Sequence, residues 1–386
     1  MPGTGTRVDD DKHKKARPQM NQRNFDSESA PVWLAAPGDR EASEQLRVVA
    51  DEALLVNGDT GRALRLATHL GSRLPGTGEG DTRRLFETLA TVSAADLSAA
   101  RATDGHLAAL SILGQASVEP GQLPGGEVDR TRSWGVFAAE ARGTRLDAIE
   151  SEQGWRLDGL KPWCSLAGSL SNALVTAHTS GHSMRLFAVD LTAPGITVLE
   201  DAWVGRGLPS ITSGPVDFRG VPAVAIREDD WYFDRPGYAW DRIGVAACWF
   251  GGAVGIARRV FRGAQDWPAD QIALAHLGAI DVALSACGGA LAAAAAAIDD
   301  GTATGQAGAV LAARVRGLVA RSVEDVIMRA GHALGPWPLA FEARHSQRVA
   351  DLELYVRQHH AERDEAALGA LLLDGGSVPG GGPSPW

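Results

Sequence analysis

GWRLDGLKPWCSLAGSLSNALVTAHT, residues Gly154 to Thr179, is the stretch whose reading decides the fold. Ser151 to Leu157 and Leu160 to Leu166 read as two extended runs, and the Asp158-Gly159 pair between them tolerates the positive φ angles of a tight hairpin turn. Residues two apart on a strand project from one face, so Trp163 and Ser165 are expected side by side. An aromatic plane beside a hydroxyl can stack on a planar heterocycle and hydrogen-bond its polar edge. The same pair also serves as ordinary core and rim, and pattern alone leaves both readings open.

Outward from this hairpin, the chain changes period twice. Before it, Glu41 to Val56, Thr60 to Leu70, a unit opened by Asp81 or Thr82 as N-cap, and Asp96 to Leu113 carry apolar residues at helical spacing. His106 sits among Leu107, Leu110 and Leu113 and reads as a hydrogen-bonded core histidine. Short runs rich in Val, Ile, Leu and aromatics follow the Pro- and Gly-rich segment GQASVEPGQLPGGEVDRT and predict a small antiparallel barrel or sandwich: Ser133–Ala139, the hairpin, Ala173–Ala177, Arg185–Asp190, Ile196–Leu199 and Gly214–Phe218. Helical period resumes after Arg235-Pro236-Gly237, with helices expected over Trp240–Gln265, from Pro268 to Asp299, over Ala309–His332, and from Leu339 to about Leu368. Gly251, Gly252 and Gly255 leave a smooth patch on the first of these, which calls for close approach of a helix or a ligand.

The 386 residues leave room for two or three domains, and 45% hydrophobic with 22% charged residues is ordinary for a globular protein. A formal net charge of −10 without a basic stripe argues against a nucleic-acid partner. Cys164, Cys248 and Cys287 lack the spacing of a zinc site or a disulfide framework, which predicts a reducing, cytoplasmic setting and no metal. The N-terminal stretch has no apolar signal core. The apolar run Ala283–Ile298 is alanine-dominated and short of the roughly 20 residues needed to cross a bilayer, so no membrane span is expected.

These residues in this order resemble the acyl-CoA dehydrogenase superfamily of flavoproteins over roughly residues 40 to 370. GWRLDGLKPWCS matches the pattern G-(x)-x-L-x-G-x-K-x-W-(I/C)-(T/S); LFAVDLTAPGITV, Gly205-Arg206 and PVDFRGVPA look like the remaining strands of its β domain. IGVAACWFGGAVGIARRVF is similar to the first helix of its C-terminal bundle, and RRLFETLATVSAADLSAARATDGHLAAL to the second half of its N-terminal domain. The resemblance implies an α+β multidomain fold: a disordered tail at 1–30, an N-terminal α-helical domain at 31–130, a middle antiparallel β-barrel domain at 131–236, a C-terminal four-helix bundle at 237–370, and a second tail at 371–386.

It also implies FAD held by Trp163 and Ser165, with Ala139 and Glu140 as the counterpart of the T-E of the family's T-E-P-x-x-G-S-D motif. The threonine, proline and serine of that motif are not matched. RGAQDWPADQ lacks the arginine and Phe-Gly that reach a neighbouring subunit's cofactor, and MRAGHALGPWP replaces the Gln-x-x-Gly-Gly stretch, leaving Gly331 and His332 as loose equivalents. Counting from Arg344 places Glu353 at the position of the base that removes the α-proton of an acyl thioester, although Leu354-Tyr355 stands where Gly-Thr follows in the family. A solvated helix residue is the competing reading of Glu353; Asp241 is a second carboxylate for the same role, or a helix N-terminal charge. His360 and Asp364, four apart, read as an exposed charged pair.

The expected activity is FAD-dependent α,β-dehydrogenation of an acyl-CoA or acyl-carrier-protein thioester by a homodimer or homotetramer. A flavin-dependent monooxygenase of the same fold is the alternative that needs no thioester base. A non-catalytic paralogue acting as a binding or assembly subunit is the alternative from another class.

Overall fold

The computed structural model describes residues 28–35, 38, 40–118, 120–124, 132–266 and 270–374. Apart from residues 28–30 and 371–374, the two tails expected from sequence lie outside the described residues. Four helices open the chain: α1 (Arg40–Val56), α2 (Thr60–Gly71), α3 (Thr82–Ala95) and α4 (Leu97–Ala116). Asp59 caps α2 by accepting the Arg62 N–H at 2.7 Å, and Asp96 starts α4 by accepting the Ala99 N–H at 2.8 Å. The α3 helix packs against helices on several sides and is buried continuously from Leu85 to Ala95.

Seven strands follow: β1 (Trp134–Phe137), β2 (Leu146–Ser151), β3 (Gly154–Lys161), β4 (Asn172–Ser180), β5 (Ser183–Asp190), β6 (Ile196–Val198) and β7 (Val216–Ile226). Strands β2, β3, β7, β5 and β4 pair in a ring that returns to β2, with β1 added to β4 and β6 to β7. The barrel is therefore closed, but it is not wholly antiparallel as expected: β1 and β2 each run parallel to β4. The β2–β3 hairpin stands between β1 and β4 in sequence and supplies the crossover that a parallel pair needs.

That hairpin also sits elsewhere than expected. Its turn is Glu152-Gln153, with Ser151 opposite Gly154, while Asp158-Gly159 lies inside β3 as a bulge facing β7. Gly159 has φ 122°, and a Cβ there would stand 2.4 Å from the Arg145 carbonyl oxygen, so the glycine serves a bulge and not a turn.

The helices resume as α5 (Trp231–Asp234), α6 (Pro236–Asp266), α7 (Gln271–Asp299), α8 (Gly305–Leu334), α9 (Trp337–Phe341), α10 (Ala343–Tyr355) and α11 (Glu362–Asp374). The single last helix expected from Leu339 is thus broken twice. Glu342 is extended between α9 and α10, and its carboxylate accepts from Arg259 at 2.7 and 2.8 Å. The chain breaks again after Tyr355, where a 3₁₀ turn over Val356–Gln358 carries His359 into the interior.

Asp299, at the end of α7, accepts the Thr82 N–H at 2.9 Å and its hydroxyl at 2.6 Å, and so does the capping of α3 that was expected of Asp81 or Thr82; Asp81 stands at the N-cap position without a side-chain cap bond. The apolar run read at Ala283–Ile298 is the second half of α7, and both α6 and α7 are long and apolar enough to cross a bilayer. In the window concerned α6 is 72% buried and α7 33% buried, so α6 is a core helix and α7 carries an exposed apolar side.

The glycine patch on α6 meets a helix. A Cβ on Gly251 would lie 2.1 Å from the Ala90 carbonyl oxygen of α3, and one on Gly255 2.8 Å from that of Ala94. Gly251→Ala is expected to destabilise by about 3 kcal/mol, the upper end of the usual cost of overpacking, because backbone cannot yield as a side chain does. Gly289→Ala on α7, where nothing lies within 4 Å, is expected to stabilise by about 1 kcal/mol. Urea denaturation of both variants beside the parent checks the pair.

Candidate functional site

β3 ends at Lys161, whose side chain is 1% exposed and crosses the barrel to donate to Glu140 Oε1 at 2.5 Å and Thr176 Oγ1 at 2.9 Å. Burial pushes the Lys161 ammonium down in pKa, against the opposing pull of Glu140. The ion pair ties the stretch after β1 to the end of β3, which brings Ala139 and Glu140 to the same end of the barrel as Trp163 and Ser165. Ala139 is exposed, and the Glu140 carboxylate is engaged as the counter-ion of Lys161.

Pro162 has no N–H to offer a ladder, and the strand stops there. Residues 162–170 fold as a turn, in which Trp163 and Leu166 take left-handed backbones with φ of 58° and 61°. Each such residue costs about 1 kcal/mol, and the loop is pinned by Cys164 N–H to Gly214 O (3.1 Å) and Leu166 N–H to Thr212 O (2.8 Å). The expectation that Trp163 and Ser165 share a strand face is corrected by this turn. Trp163 is 55% exposed with its ring edge-on to Trp203, while Ser165 turns towards α4. The Cys164 thiol between them is buried and pushed up to about 12 by that burial, so it is no nucleophile.

The Ser165 hydroxyl lies 2.8 Å from Ser213 Oγ, which itself donates to Ile211 O at 3.0 Å. Ser165 therefore donates to Ser213 and accepts from Arg101 Nη2 at 3.2 Å, which leaves one lone pair. Arg101 Nη1 is 3.3 Å from Asp104 Oδ2, and Tyr355 of α10 donates to the same oxygen at 3.3 Å. Burial pushes the Asp104 carboxyl up in pKa, with Arg101 opposing; it pushes the Tyr355 phenol up as well, with Asp104 adding to the effect. Behind Tyr355 stands Trp249 of α6, whose ring is covered by the Arg316 guanidinium at 4.6 Å. Arg316 donates to the carbonyls of Arg242 (2.9 Å) and Gln358 (3.0 Å), and so holds the chain that follows α10.

Ser165, Arg101, Asp104 and Tyr355 thus join the barrel loop to helices α4 and α10. Sequence reasoning found Ser165 and missed the other three. Their signal was present in α4: Arg101 and Asp104, three apart, interrupt an alanine-rich helix buried over most of its length.

Glu353, expected as the base, is exposed on α10, whereas Asp351, Leu352 and Tyr355 turn inward. The count that led to it began at Arg344, which is an anchor: with Arg262 it binds the carboxylate of Glu28, at 2.5 and 3.2 Å. Asp241 is half-buried in an ion pair with the buried Arg235 at 2.6 Å. His360 Nδ1 lies 3.3 Å from Asp364 Oδ1; His360 is exposed as expected, but Asp364 is only 19% exposed and also faces His359 and Arg242, so the pair is exposed on one side only.

Larger concavities lie away from Ser165. One of about 680 Å³ runs between α1, α2 and α3, bordered by Trp33, Val48, His69 and Arg84. A second of about 470 Å³ lies between the start of α4, Ser210 and Arg344, Gln347 and Asp351 of α10. Neither touches the loop that carries Trp163.

No family model matches the sequence, and no curated protein matches it either. Among solved structures, the chain is similar to FMN-bound TdsC from Paenibacillus sp. A11-2, with TM-score 0.71 and 16% identity over 85% of this chain and 96% of that one. It is similar to KijD3 in complex with FMN and a dTDP-linked amino-keto sugar, with TM-score 0.73 and 19% identity over 89% and 96%. Butyryl-CoA dehydrogenase from Megasphaera elsdenii gives TM-score 0.74 and 17% identity over 88% and 100%. The chain has the acyl-CoA dehydrogenase fold.

His106 is the one sequence-marked histidine on α4, and it is structural: its Nδ1 accepts the Trp134 N–H at 3.2 Å, and burial pulls its pKa to about 4. The unfolded chain takes up this proton near about 6.5 and the folded chain only near 4, so stability is full above 6.5 and falls as pH drops through that window. His106→Gln is expected to remove up to about 3 kcal/mol of that pH dependence. His345, also pulled to about 4 by burial, leaves a residual slope. Denaturation midpoints between pH 4 and 7 read the difference.

Proposed function

We propose that this protein is a flavin-dependent oxidoreductase whose ring-binding face is the 162–170 loop. The observation that carries the reading is the exposed Trp163 indole beside a Ser165 hydroxyl that keeps a free lone pair and is backed by the Arg101 guanidinium at 3.2 Å. These groups suit a planar heterocycle with a polar edge: the indole offers a stacking surface, and the Ser165 hydroxyl, backed by Arg101, offers its remaining lone pair to an N–H of that edge. Bound flavin supplies a two-electron redox step at this place. The exposed residues Ala139 and Glu140, held in place by Lys161, border the same site. FMN and FAD are both accommodated by this reading, and FAD is the form expected from the sequence.

Of the two reactions expected from sequence, oxygen insertion by a monooxygenase is the better supported. Glu353 stands exposed, and the carboxylate that reaches Ser165 through Arg101 is Asp104, held by both Arg101 and Tyr355. A fixed cation beside Ser165 stabilises negative charge that develops there, and no α-proton has to be removed. Dehydrogenation of an acyl-CoA or acyl-carrier-protein thioester is the second reading. It takes Asp104 in place of Glu353, because a carboxyl raised in pKa by burial is suited to accept a proton. In either case the chain acts as a homodimer or homotetramer: α7 leaves Ile272 65% and Val282 70% exposed, and a second copy covers them. Its three buried, unpaired cysteines suit a reducing cytoplasm.

Titration of FMN and FAD into the protein, followed by flavin fluorescence, tests the reading. Trp163→Ala and Ser165→Ala are each expected to weaken binding about tenfold, and Glu353→Gln to leave it unchanged. Oxygen uptake by the reduced complex, with product that carries the oxygen atom, supports the monooxygenase. Anaerobic bleaching by a thioester, lost in Asp104→Asn and kept in Glu353→Gln, supports the dehydrogenase. A protein that binds neither flavin leaves only the non-catalytic paralogue.

A further inference from the structure

We infer that the site at Ser165 takes a substrate bearing a carboxylate, and that Arg101 is the residue that selects it. The inference rests on the reading of the 162–170 loop as the reaction site and names the substrate class for that site.

The charges around the loop do not balance. Arg101 and Arg316 lie on either side of the Trp249–Tyr355 ring pair, Arg101 at 5.9 Å from the Tyr355 ring and Arg316 at 4.6 Å from the Trp249 ring. Asp104 lies between them and both guanidiniums act on it, while Asp241, which also acts on it, is neutralised by its own ion pair with Arg235. Arg316 is 5% exposed, donates only to backbone carbonyls, and keeps a buried Nε without a partner among the described residues. The carboxylate that acts most on Arg316 is Asp364, but it lies 3.9 Å from Arg242 and 3.8 Å from His359 and is shared with both. Arg101, Arg316 and Arg242 thus face two carboxylates, Asp104 and Asp364, and the excess of positive charge favours an anionic ligand.

Geometry then selects the residue and the ligand group. Arg101 meets Asp104 through Nη1 alone, at a long 3.3 Å, and its Nη2 is satisfied by nothing stronger than the Ser165 hydroxyl. A guanidinium binds a carboxylate best through two parallel N–H···O bonds, and such a pair is stronger than the hydroxyl contact that it replaces. Arg101 is 16% exposed in its side chain and lies on the Ser165 side of the network, so it is the arginine within reach of a ligand that enters at the loop. Arg316, behind Trp249, supplies field and no contact.

Calorimetric titration of the full-length protein with benzoate and butyrate, each beside its neutral amide, tests the inference without turnover. Both acids are expected to bind at least about tenfold more tightly than benzamide and butyramide. Arg101→Gln is expected to abolish that preference, and Arg101→Lys, which keeps the charge and loses the fork, to retain part of it. Equal binding of acid and amide by the parent protein, no binding of either acid up to millimolar concentration, or an acid preference that survives in Arg101→Gln overturns the inference. The parent comparison stands even where a variant fails to fold. Repetition with and without FMN separates the two claims: flavin binding without acid preference defeats this inference alone, and acid preference without flavin binding defeats the flavin reading and leaves Arg101 as an anion site.

Discussion

Contact between the backbones of α3 and α6 is the constraint on which the rest of the arrangement depends. Gly251 removes the side chain at the point where α6 passes the Ala90 carbonyl, and Gly255 does the same beside Ala94. Gly252, between them, faces Leu97 at the start of α4 and Leu352 of α10. The three glycines therefore bring α3, α4 and α10 around one segment of α6. A Cβ in that row pushes α3 off the helix that carries Trp249, and with α3 goes the corner from which Arg101 is displayed.

Electrostatics fixes that corner more exactly than packing does. Arg348, from α10, donates to the carbonyls of Ala94 and Ala95 at 3.1 and 3.4 Å and so neutralises the end of α3, while Asp96 caps the start of α4. A cation at a helix C-terminus and an anion at the next N-terminus both complement the macrodipoles, and together they set the angle between the two helices. The position of Arg101 on α4 follows, and so does its reach to Ser165. Lys161 does the corresponding work on the barrel side, since its ammonium, buried and paired with Glu140, holds the strand end from which the Trp163 loop springs. Buried charges of this kind are costly unless satisfied, and here each is tied to an element that faces the loop.

Much of this was legible in the residues. Helix positions in the first and last thirds follow apolar period, the strand runs at Ala173 and Arg185 lie within observed strands, and that at Ile196 overruns its strand by one residue. Three features were not legible, each for a physical reason. Asp158-Gly159 has the composition of a turn and the function of a bulge, because positive φ serves both and only the register with β7 distinguishes them. The break after Tyr355 has no Pro or Gly to announce it; it is set by the Arg316 bond to the Gln358 carbonyl, a contact between residues 42 positions apart. Glu353 was reached by counting from Arg344 along what proves to be one unbroken helix, and such a count does not say which face of α10 turns inward: Asp351, Leu352 and Tyr355 do, and Glu353 lies on the exposed side. The Trp163–Ser165 pair was reached on an argument about strand faces that the loop does not obey: both residues lie on one turn, with Trp163 edge-on to Trp203 and Ser165 towards Arg101.

The account turns on whether the 162–170 loop and Arg101 form one binding face. A crystal structure of the protein soaked with FMN tests this most directly. The account places the ring against the Trp163 indole, with a polar edge within hydrogen-bond distance of Ser165 Oγ and Arg101 on the substrate side. Ring density in the concavity between α1, α2 and α3, or in that beside Arg344 and Asp351, with the Ser165–Arg101 contact undisturbed, would contradict it.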